Sequence, residues 1–400
     1  MAGFFPLFFK QYWSAGADVT ESTFHLGLSN SIASIIVLVL APILGAIADR
    51  GGSRKRFLFV FASLGVVMTG AFYLVDMGAW GTAAALFVAA TVGFSGANVF
   101  YDSLLTAVAG EDRVDFISAL GYSFGYLGGG LLFALNVGMV LSPATFGLAD
   151  ASQAIKVSFV TVSLWWAFFS LPLFLFVKEP GAGDKRGIVA SVSGGFRQLA
   201  ETFREIRRLK VVLLFLIGYW LYIDGVHTII RMAVDYGLSL GLDSNSLILA
   251  LLITQFVGFP SAIAFGKLGE KLGPKTGIYI AIAGYIGMTI WGYFLNTEAE
   301  FFGMAAAIGL VQGGVQSLSR SFYTRIIPAG KSAEFFGFYN MVGKFAAVIG
   351  PALMGWVALT TGDSRKAIFA ITALLIVGVM CFYFVDEEKG RKAVAEMERL

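Results

Sequence analysis

The sequence predicts an all-α membrane protein made of two related helical halves. Three observations carry this: the composition, the length of the uncharged runs, and a loop pattern that occurs twice. Hydrophobic residues make up 57% of the 400 residues and charged ones 14%, with a mean hydropathy of +0.77. Soluble domains carry about a quarter charged residues. Residues 57–75 and 77–101 are runs of nineteen and twenty-five without Asp, Glu, Lys or Arg, and a membrane-spanning helix needs about 20 apolar residues.

The first element is MAGFFPLFFKQYW, apolar until Lys10. It is too short to cross, and it lacks the basic start and small-residue cleavage site of a secretion signal. It reads as the outer half of a first helix whose beginning is absent, or as an interfacial aromatic segment. Eleven full spans follow, at about 28–48, 57–76, 80–106, 116–140, 155–177, 211–233, 246–266, 276–295, 301–327, 334–360 and 366–385. Between spans 6 and 7, KEPGAGDKRG cannot cross. After it Phe196, Leu199, Phe203, Ile206 and Leu209 recur at helical spacing among Arg197, Arg204, Arg207 and Arg208. That pattern predicts an amphipathic helix on the cytoplasmic membrane surface. The chain thus divides into a bundle over 1–178, a linker over 179–210, and a second bundle with a tail over 211–400.

Orientation follows from the basic residues. With the loop after span 2 inside, 23 of the 29 Lys and Arg fall on the cytoplasmic side, the C-terminus included. The net charge of +3 therefore reflects topology and not nucleic-acid binding. A single cysteine, Cys381, excludes disulfides and thiolate metal sites. Two histidines, no nucleotide-binding loop and no nucleophile–base constellation argue against an enzyme, an ATP-driven pump and a bound cofactor or metal. The absence of an Asn-x-Ser/Thr sequon fits a prokaryotic inner membrane.

The repeated loop reads G-x-x-x-[DE]-[RK]-x-G-x-[RK]. Its first copy is Gly45, Asp49, Arg50, Gly52 and Arg54, followed by Lys55; its second is Gly266, Glu270, Lys271, Gly273 and Lys275. Each copy closes the second helix of its half. A glycine there lets a neighbouring helix approach closely in lipid. On span 5, Gly121, Gly125 and Gly129 are spaced by four and predict a second packing face, against a helix of the other half.

The duplicated loop resembles that of the major facilitator superfamily. Tyr101-Asp-Ser-Leu-Leu105, Asp224-Gly225, Gln316-Ser-Leu-Ser-Arg320-Ser and Phe335-Phe-Gly-Phe-Tyr339 resemble one branch of it, the autophagy-related vacuolar amino-acid effluxers and their bacterial "unknown major facilitator" relatives. The resemblance covers nearly the whole chain. It departs at the start, where the family's first helix opens with a polar stretch. It implies two pseudo-symmetric six-helix bundles, a cavity lined by helices 1, 4, 7 and 10, and rocker-type alternating access. It also implies that Asp49 meets the N-terminus of helix 11 near Glu334, with Arg50, Arg54 and Lys55 latching Glu334 or Asp112.

Ionisable side chains at membrane depth cost about 2.5–3.5 kcal/mol each on insertion scales and persist when paired, hydrated or used. On span 7, Asp224, His227 and Arg231 share one face. Asp224 and His227 are candidates for substrate or proton contact, and Arg231 for an outer gate. An outer clasp of Asp224 with Arg231 is the structural alternative. Asn98, Tyr101 and Asp102 on span 4 have counterparts at similar depth in Gln312, Gln316 and Arg320 on span 10, which suggests Asp102 and Arg320 as a cytoplasmic gate, with structural pairing inside each bundle as the alternative. Tyr339, Asn340 and Lys344 on span 11 complete the candidate pathway; Lys344 either holds a carboxylate or snorkels.

The leading reading is a monomeric secondary transporter exporting amino acids or a similar small solute, with protons as a candidate coupling ion. The runner-up is a lipid flippase or a scaffold without transport, for which a lateral, lipid-facing groove is the signature.

Overall fold

A computed structural model of the chain describes residues 4–17, 19–51, 54–178, 201–346 and 349–398. Among the described residues it is helical throughout, and nine helices are long and apolar enough to cross a membrane. A short helix α1 (Phe5–Phe8) runs into a π-helical turn, Phe9–Trp13. The first half continues with α2 (Val19–Gly51), α3 (Arg54–Ala71), α4 (Trp80–Ser103), α5 (Val114–Leu141) and α6 (Ala151–Phe176). The second half holds α7 (Lys210–Ser239), α8 (Ser244–Leu272), α9 (Pro274–Tyr293) and α10 (Glu298–Arg325). After these come α11 (Ser332–Phe345), α12 (Ile349–Thr361), α13 (Ser364–Tyr383) and a tail helix α14 (Glu387–Glu398). Two helix starts are closed by capping side chains. Asp150 accepts the Gln153 amide, and Thr297 with Glu300 forms a capping box, each satisfying N–H groups that a helix start leaves without partners.

Two compact units result. The first joins Met1–Leu104 to Leu131–Phe196, and the second joins Leu105–Gly130 to Arg197–Leu400. Helix α5 is thus shared: its N-terminal part, to Gly130, belongs to the second unit and the rest to the first.

The first unit is centred on rings. Phe5 stacks on Phe87 at 4.4 Å, while Trp13 meets Phe72 at 5.2 Å and Phe159 at 5.6 Å. Lys156 sets its ammonium over Tyr12 and Tyr73, at 5.6 and 5.7 Å, a cation–π contact that keeps this outer charge against aromatic surface. The outer half of α5 is tied to α6 by the Thr161 hydroxyl, which donates to Asn136 at 2.9 Å. The second unit buries Phe215, Tyr222, Phe322, Tyr323 and Phe382 completely, with Phe215 against Phe322 at 5.3 Å and Phe322 against Phe382 at 5.4 Å.

The structure corrects three expectations. Span 11 is not one helix: α11 ends at Phe345 and α12 starts at Ile349. Pro351 is the physical reason. It brings no N–H, so it suits the first turn of a new helix, where it stands in α12, better than the interior of a continuing one. Second, residues 201–208 are helical, and part of their apolar side packs on protein while Phe203 stays half exposed. Thr202, Ile206 and Leu209 are buried, Thr202 donates to Glu334 at 2.5 Å, and Lys331 pairs with Glu205 at 2.6 Å. Phe196, Arg197 and Leu199 lie outside the described residues. Third, Gly125 and Gly129 look onto open space. The face of α5 that packs is the neighbouring one, with Ser118, Ala119 and Tyr126 buried and Gly130 against Gln255.

Candidate functional site

Helix α7 carries the most conspicuous polar group. Asp224 is 1% exposed, and both carboxylate oxygens accept the Gly350 amide, at 3.0 and 3.1 Å. Thr228, one turn on, donates to Oδ1 at 3.4 Å. The carboxylate therefore caps the first turn of α12, where N–H groups lack helical partners and the helix dipole favours an anion. The partners of the carboxylate are thus an amide of α12 and a hydroxyl of its own helix. Gly350 is required at this joint: a Cβ there would overlap the Thr228 hydroxyl and come within 2.9 Å of Asp224 Oδ1. His227 is half-buried, and Arg231 lies on the exposed side of the helix.

The second cluster lies where α5, α7, α10 and α11 meet inside the second unit. Arg320 is 4% exposed. Its Nε donates to the Ser118 hydroxyl at 3.0 Å, a terminal nitrogen donates to the Ser118 carbonyl at 2.9 Å, and the guanidinium sits 4.7 Å from the Tyr122 ring. Ser118 in turn donates to the Ser317 carbonyl at 2.8 Å. One turn deeper, Tyr126 donates to Gln316 at 3.3 Å. Gln312 Oε1 and the Tyr285 hydroxyl are buried without hydrogen-bond partners among the described residues. Tyr339 stacks between Tyr219 and Tyr323, at 4.3 and 5.1 Å, and Asn340 donates back to the Phe336 carbonyl at 3.0 Å. Tyr222 shares a 2.7 Å hydrogen bond with Ser319.

The structure thus sets Gln316 and Arg320 against α5, seats Tyr339 between Tyr219 and Tyr323, and adds tyrosines that the sequence reading passed over as apolar bulk. Asn98, Tyr101 and Asp102 belong to the first unit; Asp102 is buried at the end of α4, and Tyr101 is exposed. The side chain of Lys344 lies outside the described residues.

The loop motifs resolve into two kinds of contact. At Gly266 a Cβ would meet the Ala119 Cβ at 2.6 Å and the Phe116 Cα at 3.2 Å, and at Gly269 it would meet the Asp115 Cβ at 3.2 Å. The missing side chains let α8 press against α5, the close approach expected of small residues in lipid. Gly273 has φ +81°, a conformation that suits glycine, and it turns the chain into α9. Lys275 donates to the carbonyls of Tyr383 and Val385, at 3.0 and 2.5 Å. Lys55 does the same in the other half, with Phe174 at 2.9 Å and Val177 at 2.6 Å. Each ammonium neutralises the carbonyl end of the last helix of its half. Two of the three Lys55 N–H donors thus go to backbone carbonyls of its own half. Arg54 is half-buried, while Glu270 and Lys271 are exposed. Gly52 and the side chains of Asp49 and Arg50 lie outside the described residues.

Beside Gly269, sequence reasoning missed an ion pair altogether. Arg325, at the end of α10, reaches Asp115 at the start of α5 at 2.6 Å, with Asp115 fully buried. Both charges sit at helix ends, where charged residues are common, so nothing in the one-dimensional pattern set them apart.

Two cavities, of about 560 and 830 Å³, have walls that are apolar except for His25, Ser29 and Trp80 in the first and Ser261 in the second. Neither includes a residue nominated from the sequence.

Comparisons with known proteins agree with this architecture. The model of a family described as "Vacuole effluxer Atg22 like" matches residues 13–395. An "Uncharacterized MFS-type transporter YxiO" of Bacillus subtilis is 37% identical over 386 residues, covering 96% of this chain and 90% of that protein. "Autophagy-related protein 22" of Yarrowia lipolytica is 24% identical over 474 residues, covering 96% and 79%. Among solved structures, the major facilitator superfamily transporter FucP in its outward conformation aligns with TM-score 0.70 at 13% identity, covering 96% of this chain and 95% of that one. The proton:xylose symporter XylE aligns with TM-score 0.70 at 14% identity, covering 96% and 92%. At such identities the structural matches show the fold.

Proposed function

Because the chain belongs to the Atg22-like effluxer family of the major facilitator superfamily, we propose that it is a secondary transporter exporting small polar solutes, amino acids foremost. It works by alternating access across a prokaryotic inner membrane, with its C-terminus in the cytoplasm. The observation that carries this reading is the way the inner half of α5 is fastened to α8 and α10. Ion pairing at Asp115–Arg325, hydrogen bonding at Ser118–Arg320 and glycine-mediated contact at Gly266 and Gly269 act along one line. Each is short in range and local, so the set can be broken and remade as a unit, which a rocking transporter requires. Asn98, Gln312, Gln316 and Asn340 supply uncharged hydrogen-bonding groups suited to a zwitterion, Arg320 supplies a cation for its carboxylate, and Asp224 with His227 remains the candidate proton pathway.

The test is counterflow in proteoliposomes with a labelled amino-acid pool, with and without a pH gradient. Counterflow that follows the gradient supports proton coupling; counterflow indifferent to it removes that part. A second reading, lipid translocation, has the two apolar cavities in its favour. A dithionite assay with fluorescent phospholipid in the same vesicles separates the two: the transporter reading expects amino-acid counterflow and no acceleration of lipid exchange.

A further inference from the structure

Beyond the last span, the chain forms α14, whose sequence EEKGRKAVAEME alternates in charge at helical spacing. Arg391 pairs with Glu387 at 2.9 Å and Lys392 with Glu388 at 3.0 Å. The helix is held against the second unit: Val394 is buried, and Ala393 and Met397 pack on the core. Gly390 sets its seat, since a Cβ there would stand 2.8 Å from Ile326 and 3.1 Å from Val211. Asp386 starts the helix by accepting the Lys389 amide at 3.1 Å, and that amide holds its carboxyl below the usual carboxylate range.

This seat brings Glu387 to Arg325. Glu387 Oε1 lies 3.5 Å from one terminal nitrogen of Arg325, whose other terminal nitrogen lies 2.6 Å from Asp115. Glu387 is itself gripped by Arg391 through Nε at 3.1 Å and a terminal nitrogen at 2.9 Å. Asp115, Arg325, Glu387 and Arg391 form a file of alternating charge, with side-chain exposures rising as 0%, 17%, 26% and 39%. Arg325 Nε has no partner among the described residues, so its orientation depends on the two carboxylates.

We propose that Glu387, braced by Arg391, is a positioning residue that aims Arg325 at Asp115, so that the tail helix sets how tightly α5 is locked to α10. The proposal rests on the reading that α5 separates from α8 and α10 during transport. Glu387 also keeps a counter-charge beside Arg325 when Asp115 withdraws, so the cation stays in place for relocking.

The reporter is Ser123→Cys in a Cys381→Ser background, which leaves a single thiol. Ser123 is buried and donates to the Phe259 carbonyl of α8. It lies nine residues into α5 from the cytoplasmic end, about 13 Å at 1.5 Å per residue. Inside-out vesicles are treated with an impermeant maleimide. Glu387→Gln and Arg391→Gln should each raise the labelling rate by about two- to fivefold, the range a partly exposed ion pair is worth. Glu387→Asp should return the rate most of the way, a recovery that a merely structural tail would not give. The proposal is overturned if both glutamine variants, shown monodisperse by size exclusion, label like the parent while Arg325→Gln labels faster. If Arg325→Gln also labels like the parent, the reading of α5 as a moving part fails, and the positioning role fails with it.

Discussion

Removing Arg325 should unlock α5 far more than neutralising Asp115, although both changes break one ion pair. The asymmetry follows from burial. Asp115 has no exposed side-chain surface, Arg325 keeps 17%, and the two meet at 2.6 Å. In Arg325→Gln the carboxylate is left buried with its Oδ1 already unpartnered. Leaving one charge of a buried pair uncompensated costs about 3–5 kcal/mol, and the solvent at the Arg325 end argues for the lower value. In Asp115→Asn the guanidinium keeps Glu387 at 3.5 Å and an amide oxygen to donate to, so the loss is about 1–2 kcal/mol. The cost falls on the locked state alone, because separation exposes both groups to water. At about 1.4 kcal/mol per tenfold, Arg325→Gln should multiply the open population about a hundredfold and Asp115→Asn about five- to thirtyfold. Maleimide labelling of Ser123→Cys in inside-out vesicles reads that population directly. Equal rates in the two variants, or a faster rate in Asp115→Asn, would refute the argument from burial.

The joint between α7 and α12 gives a second prediction. Gly350→Ala should destabilise the protein by about 1–3 kcal/mol through overpacking against Thr228 and Asp224, seen as a lower Tm in detergent, while Gly355→Ala, in open space, should not. Asp224→Ala should cost about 1–3 kcal/mol by orphaning the Gly350 amide. Loss of counterflow beyond what the lowered Tm explains would support the proton-pathway role proposed for Asp224, and full counterflow would leave it a cap alone. The two lysine caps predict a symmetric result: Lys55→Met and Lys275→Met should each lower stability by up to about 2 kcal/mol while keeping transport. Loss of transport at full stability in either would contradict the capping role.

Much of the architecture was legible because hydropathy reports the solvent of a helix directly, and the duplicated loop reports the two halves. Positions such as Gly266 could be read for the same reason: small residues in lipid have few uses. What escaped depended on partners distant in the chain. Asp115 and Arg325 are 210 residues apart, and their charges look like ordinary topology signals. Asp224 stands out in the sequence as a carboxylate in an apolar run, but helical spacing nominates neighbours on its own helix, whereas it accepts the Gly350 amide at the start of another. The break before that helix had a signal in Pro351, masked by the strong hydropathy of residues 349–358 around it. The tyrosines Tyr122, Tyr126, Tyr219 and Tyr222 were invisible for the opposite reason, since each is apolar enough to belong to any span. On α5, the Gly121–Gly125–Gly129 spacing pointed one position away from the face that packs.

The central claim is that transport requires α5 to part from α8. A disulfide between Gly130→Cys and Gln255→Cys, in the Cys381→Ser background, tests it. The two Cβ positions lie 3.2 Å apart, just short of the usual span of about 3.5–4.5 Å, so a small outward adjustment accommodates the bond. The measurement is amino-acid counterflow in proteoliposomes before and after reduction. The account predicts no counterflow in the oxidised protein and recovery with dithiothreitol; counterflow in the oxidised protein equal to that in the reduced one would contradict it.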